Sequence, residues 1–125
     1  MKITLLDYGA GNVRSVVNAV EKLGGSIKPV KKASDILDAE RLLFPGVGNY
    51  RSMIQILNQK NYIAPLREYL EADQPFFGIC LGMQALFEGS EEDFSTNESL
   101  GIFQGRVKRF KTDLSVPHIG WNGVN

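Results

Sequence analysis

The chain has 125 residues, enough for one domain or part of one, and its 43% apolar and 22% charged content is that of a globular protein, which excludes disordered, fibrous and membrane-embedded classes. Fourteen basic and fourteen acidic side chains cancel, so no global field favours nucleic acid or an anionic membrane surface, and the expected partner is a small molecule or a protein. A single cysteine, Cys80, excludes an internal disulfide, and with His118 as the single imidazole no structural zinc set forms without several converging carboxylates, so neither metal nor cofactor is expected.

The opening run from Met1 to Asp7 is too short and too weakly apolar for a signal peptide, and no stretch is long enough to span a bilayer. A cytoplasmic location is expected, or a plastid one after removal of a transit peptide. Lys2 to Asp7 reads as a buried strand, and Tyr8-Gly9-Ala10-Gly11-Asn12 as the turn that follows it. Val13, Val16, Val17, Val20 and Leu23 then share one helix face, with Asn12 as N-cap and Gly24 as the stop. A second strand is expected over Ser26 to Val30, then a brief helix capped by Ser34 and ending at Leu37.

Arg41 to Phe44 reads as the third strand, stopped by Pro45-Gly46-Val47-Gly48. Helical spacing resumes through Met53, Ile54 and Leu57, and again through Ile63, Leu66 and Leu70. The fourth strand, Pro75 to Ile79, is apolar throughout, as a strand covered on both faces would be. Four alternations of strand and helix define an α/β fold of three layers, a mostly parallel sheet flanked by helices, with its ligand site outside the carboxyl ends of the strands. The loops at Gly9 to Asn12, Pro45 to Gly48 and Cys80 then share one rim. After Leu86 the chain turns polar and acidic from Ser90 to Glu98, and strand segments are expected between Gly101 and Phe110. The final Gly120-Trp121-Asn122-Gly123-Val124-Asn125 brings no closing helix, so residues 1–125 read as an incomplete domain.

Gly78-Ile79-Cys80-Leu81-Gly82 has the form of a nucleophile elbow with cysteine in the place of serine: glycines flank a strained residue between a strand and a helix. The thiol stands proud of the sheet, and the N-terminus of the next helix offers N–H groups and a dipole that favour thiolate and an oxyanion. The competing reading is a buried structural cysteine. Gly46, Val47 and Gly48 would present backbone N–H groups at the same rim, unless they form a plain βα turn. Gln84, one helical turn beyond Cys80, is placed to bond a polar substrate, and Glu92 to bind an α-amino group; an exposed glutamine and a solvated acidic run are the alternatives.

Two other features carry less. Gly9-Ala10-Gly11 has the start of a dinucleotide fingerprint, but Arg14 occupies the third glycine position, leaving a turn and a cap. Arg106, Lys108, Arg109 and Lys111 read as the wet face of a strand rather than a nucleic-acid site. A cysteine nucleophile needs a histidine base and an orienting carboxylate. His118 has no acidic neighbour in sequence, so the base is expected outside residues 1–125, and its loss costs on the order of 10³ to 10⁶ in turnover.

Leu6 to Asn12, Pro45 to Gly48, Gly78 to Gln84 and Pro117-His118-Ile119-Gly120-Trp121-Asn122 occur here in one order, and with them the whole chain resembles the glutaminase subunit or domain of imidazole glycerol phosphate synthase, a class I glutamine amidotransferase of histidine biosynthesis. The resemblance implies that Cys80 attacks glutamine, forms a glutamyl thioester and releases ammonia to a (β/α)₈ synthase partner, separate or fused. It implies that Gly46, Val47 and Gly48 form the oxyanion strand and that Gly48, Gln84 and Glu92 bind glutamine. It also implies that Asn12, His118 and Trp121 lie on the side facing the synthase. The family's catalytic histidine and glutamate belong to a His-Pro-Glu motif that does not occur here, so by this resemblance the isolated segment is inactive. Two rival readings are a non-catalytic binding or regulatory module for the synthase, and a flavodoxin-like cysteine protein of the stress-response superfamily; the latter leaves Gln84, Glu92 and the Pro117 to Asn122 segment unexplained.

Overall fold

The structure is a computed structural model that describes residues 1–9, 13–94 and 98–125. Four short strands form one parallel sheet in the order β2-β1-β3-β4, with β1 at Lys2–Leu5, β2 at Ser26–Pro29, β3 at Leu42–Gly46 and β4 at Phe76–Cys80. Helices α1 (Arg14–Lys22) and α2 (Ala33–Leu37) make the first two crossovers, and α3 (Tyr50–Gln59) with α4 (Ile63–Glu71) the third. The chain leaves β1 toward β2 and returns to β3 on the other side, so the strand order reverses between β1 and β3. An open parallel sheet binds ligands at the carboxyl ends of its strands beside such a switch point.

Alternation along the strands sorts side chains onto two faces. Leu6, Tyr8, Leu42 and Phe44 join the buried core with Met53, Ile54 and Leu57 of α3 and Leu66 and Tyr69 of α4. On the other face Ile3, Leu43, Phe77 and Ile79 line an open groove of about 480 Å³ together with Val16, Ala19, Val20 and Leu23 of α1. Helices therefore flank both faces, as expected, but β4 is covered on one face alone: Phe77 is 66% exposed. An all-apolar strand does not reveal which of its two faces has a cover within the same segment.

The helix ends are partly as expected. Gly24 has φ +81° and its N–H bonds Glu21 O, while the Gly25 N–H reaches back to Val20 O, the paired bonds of a Schellman stop. Asn12, expected as the cap of α1, lies outside the described residues. Ser34 does not cap α2. Lys32 holds that position, and the carboxylate of Asp35 three residues on accepts the N–H groups of Lys31 and Lys32 at 3.0 and 3.1 Å and the Lys28 ammonium at 3.1 Å. Those donors, the Lys31 N–H first, hold the Asp35 carboxyl at about 2, below its usual range.

Beyond β4 comes a single turn of helix, α5 (Leu81–Gln84), then β5 (Phe87–Ser90), which pairs in parallel with β6 (Phe103–Val107) as a separate two-stranded sheet. β6 falls within the expected Gly101 to Phe110 segment, whereas β5 sits where the polar loop was expected to begin. From Lys108 onward the chain forms no regular element.

Candidate active site

Cys80 ends β4 with φ +55° and ψ −115°, a conformation that a non-glycine residue holds only when its surroundings impose it. Those surroundings are backbone. A Cβ on Gly82 would stand 1.8 Å from Phe44 O, one on Gly78 2.7 Å from Gly82 O, and one on Gly46 2.8 Å from the Leu81 side chain. Glycine at these three positions lets α5 lie directly on β3 and β4, and the reversal at Cys80 is what remains for the chain to do. The side chain is exposed and the thiol is free. α5 is only four residues long, so the extended dipole expected behind the thiol is absent, and the local help comes from first-turn N–H groups.

β3 does not stop before Pro45. It continues to Gly46, with Pro45 opposite Ile79 and Gly46 opposite Cys80. The Leu42 N–H points to β4, where it bonds Pro75 O, and Leu43 O points to β1, where it accepts from the Leu6 N–H. By alternation Pro45 faces the β1 side, and β1 pairs with β3 no further than Leu43. Proline has no N–H to give on that side, while the β3–β4 ladder on the other side runs on to the nucleophile. The expected oxyanion segment thus begins beside Cys80, with Val47 and Gly48 exposed beyond it and Gly48 at φ +100°.

Gln84 and Glu92 come together as walls of a cleft of about 790 Å³, shared with Ser90, Val107, Lys108 and Phe110; Cys80 is not among its lining residues. One Glu92 carboxylate oxygen accepts the Tyr50 N–H at 3.3 Å, at the first residue of α3. Glu92 therefore links the acidic turn to the helix that follows the oxyanion segment, with its charge at the helix end that favours anions. The turn is tied down from beneath: the Arg106 guanidinium donates to Ser90 O at 2.8 Å and to Asp93 O at 3.1 Å. Arg106, expected on a wet strand face, is exposed there on β6 and also anchors the segment that carries Glu92. Lys108 and Arg109 line the cleft.

His118 and Trp121 lie apart from the elbow, in the irregular tail. Both are exposed, and His118 shares a 2.7 Å hydrogen bond with the Asn122 amide. Among the described residues the imidazole forms no ion pair. Asn12, expected beside them, lies outside the described residues. Among the described residues no group of three or more His, Cys, Asp or Glu is arranged to hold a metal ion.

One rim residue was not anticipated in its role. Tyr8, expected to be part of a turn, is 3% exposed, stacks edge-on against Phe44 at 5.9 Å and donates its hydroxyl to Val47 O at 3.0 Å. The apolar ring between β1 and a glycine was the sequence signal for burial, but its polar partner lies 39 positions away.

An elbow cysteine at the carboxyl edge of a parallel sheet, with a glycine-rich strand end in register beside it, defines a family. Residues 4–123 match the model for class-I glutamine amidotransferases, and the chain belongs to that family. Among individual relatives it is similar to the Arabidopsis thaliana protein named imidazole glycerol phosphate synthase hisHF, chloroplastic, with 51% identity over 124 residues, covering 98% of this chain and 21% of that protein. It is also 42% identical over 123 residues to imidazole glycerol phosphate synthase subunit HisH of Desulfitobacterium hafniense, covering 98% of this chain and 58% of that subunit. The chain thus spans little more than half of the separate subunit and about a fifth of the fused protein. A crystal structure of a glutamine amidotransferase superimposes with a TM-score of 0.71 at 22% identity, covering 86% of this chain and 56% of that one, and shows the same fold.

Proposed function

We propose that this chain is the nucleophile-bearing part of the glutaminase of imidazole glycerol phosphate synthase and that Cys80 carries the chemistry. The observation that supports this most is the register of Gly46 against Cys80, which sets a strained nucleophile beside the strand end that leads into Val47 and Gly48. The Cys80 thiolate attacks the side-chain carboxamide carbon of glutamine, and the electron pair of the C=O bond moves to oxygen. N–H groups of the Gly46 to Gly48 segment stabilise that oxyanion, a contribution of roughly 10² to 10³ per donor in well-studied enzymes. Collapse with protonation of nitrogen breaks the C–N bond and releases ammonia, leaving a γ-glutamyl thioester that water cleaves to glutamate and the thiol. Gln84 and Glu92 bind the amino-acid end of glutamine from the adjoining cleft. The general acid–base and its carboxylate come from outside residues 1–125, since the one imidazole here is seated in the tail.

The acceptor of the ammonia is a (β/α)₈ synthase, separate or fused, docked on the segment that bears His118 and Trp121; Asn12, given the same role by the family resemblance, lies outside the described residues. Support for a partner there is the exposure of Phe110, Leu114, Ile119 and Trp121 on one irregular segment, more apolar surface than a free tail needs. The same surface would serve a non-catalytic module for the synthase, which co-purification with the barrel in the absence of ammonia production would favour. The cytoplasm is the proposed location, with a plastid as its counterpart in the manner of the chloroplastic relative. Among the described residues no helix is long and apolar enough to cross a membrane.

Ammonia release from glutamine tests the assignment. Residues 1–125 alone are expected to release none above background, and the chain extended through the rest of the domain to release it in a manner lost in Cys80→Ala. Robust, Cys80-dependent release from residues 1–125 alone would contradict the external base.

A further inference from the structure

Ser90 to Asp93 form the turn that carries Glu92. The Asp93 N–H donates to Ser90 O at 3.1 Å and closes it, and the Glu92 N–H donates to the Ser90 hydroxyl oxygen at 3.1 Å. Two glutamates occupy the centre of the turn and go to different partners. Glu91 accepts the Arg109 N–H at 2.9 Å, beyond the end of β6, and Glu92 accepts the Tyr50 N–H at 3.3 Å, at the start of α3. A rotation of the turn would exchange them, so whatever holds its corners decides which carboxylate stands at α3.

Arg106 holds both corners. A single nitrogen of its guanidinium, Nη2, reaches across from β6 and bridges Ser90 O at 2.8 Å and Asp93 O at 3.1 Å. Gly89 makes room for it: the two residues face each other in the β5–β6 register, and a Cβ on Gly89 would stand 2.6 Å from the other terminal nitrogen, Nη1. A glycine inside a strand often marks such a close approach. We propose that Arg106 is a positioning residue for glutamine: by bridging the two corner carbonyls it fixes the turn so that Glu92, and not Glu91, is presented to the α-amino group of the substrate. This rests on the reading of Glu92 as a glutamine-binding residue and extends it to a side chain on the neighbouring strand that acts through the turn alone.

Arg106→Gln in the complete amidotransferase with its synthase partner removes the bridge. Its loss predicts a KM for glutamine raised roughly five- to twentyfold, with kcat within about twofold. Capture of Cys80 by a diazo-ketone analogue of glutamine, which carries the α-amino group, should slow by a similar factor. Alkylation of Cys80 by iodoacetamide, which has no amino-acid end, should keep its rate. Gly89→Ala, which displaces the guanidinium without altering Arg106, should give a smaller loss of the same kind, and it carries the test should Arg106→Gln fail to fold. Glu92→Gln should itself raise KM, and adding Arg106→Gln to it should raise KM less than about twofold further, because both act on one contact. An unchanged KM in Arg106→Gln beside a raised one in Glu92→Gln overturns the inference and leaves the reading of Glu92 standing. Equal slowing of iodoacetamide, or independent effects of the two substitutions, also overturns it, by placing the loss on the fold or the thiol. An unchanged KM in Glu92→Gln overturns the reading of Glu92 first, and this inference with it.

Discussion

The elbow around Cys80 and the tail from Lys108 to Asn125 differ in what fixes them. At the elbow three glycines bring backbone onto backbone, and Cys80 is held at φ +55° between them. In the tail almost every side chain is exposed, Trp121 fully so, and the His118 ring shares a hydrogen bond with a residue of the tail itself, Asn122. The nucleophile is shaped by this segment itself, and the proposed docking residues take their meaning from a partner. Substitutions in the two regions should therefore diverge.

The largest effect belongs to Gly82→Ala. Its methyl group would meet Phe44 O, a backbone atom that cannot step aside, and a loss of at least about 3 kcal/mol in folding stability is expected from chemical denaturation. Leu66→Ala, a deletion in the fully buried core beneath the sheet, should cost about 2 to 3 kcal/mol, and Phe77→Ala on the open face much less. If the two proved equal, the open face would be covered in solution.

A smaller effect is set by pH. The folded Asp35 carboxyl, at about 2, lies below its usual 3.8, so its contribution is complete above roughly pH 4 and disappears as pH falls through 2. Wild type should be more stable than Asp35→Asn at neutral pH, and the gap in melting temperature should close between pH 4 and 2; a gap independent of pH would remove the carboxylate from the account of α2. Smallest is Trp121→Ala, which should leave folding stability within about 0.5 kcal/mol while weakening association with the synthase. A large loss of stability would place Trp121 in a core that the structure does not contain.

Much of the sheet and the elbow was legible in the sequence because local rules govern them. Runs such as Leu42 to Phe44 need burial, Gly24 needs a positive φ, and the glycines around Cys80 have no other use at that spacing. What escaped depends on distant or competing partners. β5 was unreadable because Phe87-Glu88-Gly89-Ser90 has little strand character until Phe103 to Val107 pairs with it. Ser34 looked like a cap, but the helix begins one residue before it, and Asp35 accepts the N–H groups of Lys31 and Lys32 with a lysine in support. The bare face of β4, the hold of Glu92 on α3 and the hold of Tyr8 on Val47 are contacts across 39 or more positions or missing covers, which no local pattern encodes.

The central claim is that Cys80 is a nucleophile for a glutamine carboxamide, and covalent capture tests it most directly. The chain extended through the remainder of its domain, treated with a diazo-ketone analogue of glutamine and digested, should yield one modified peptide carrying the label on Cys80, with glutamine protecting it and Cys80→Ala abolishing it. An unlabelled Cys80 in a folded, extended chain would contradict the account.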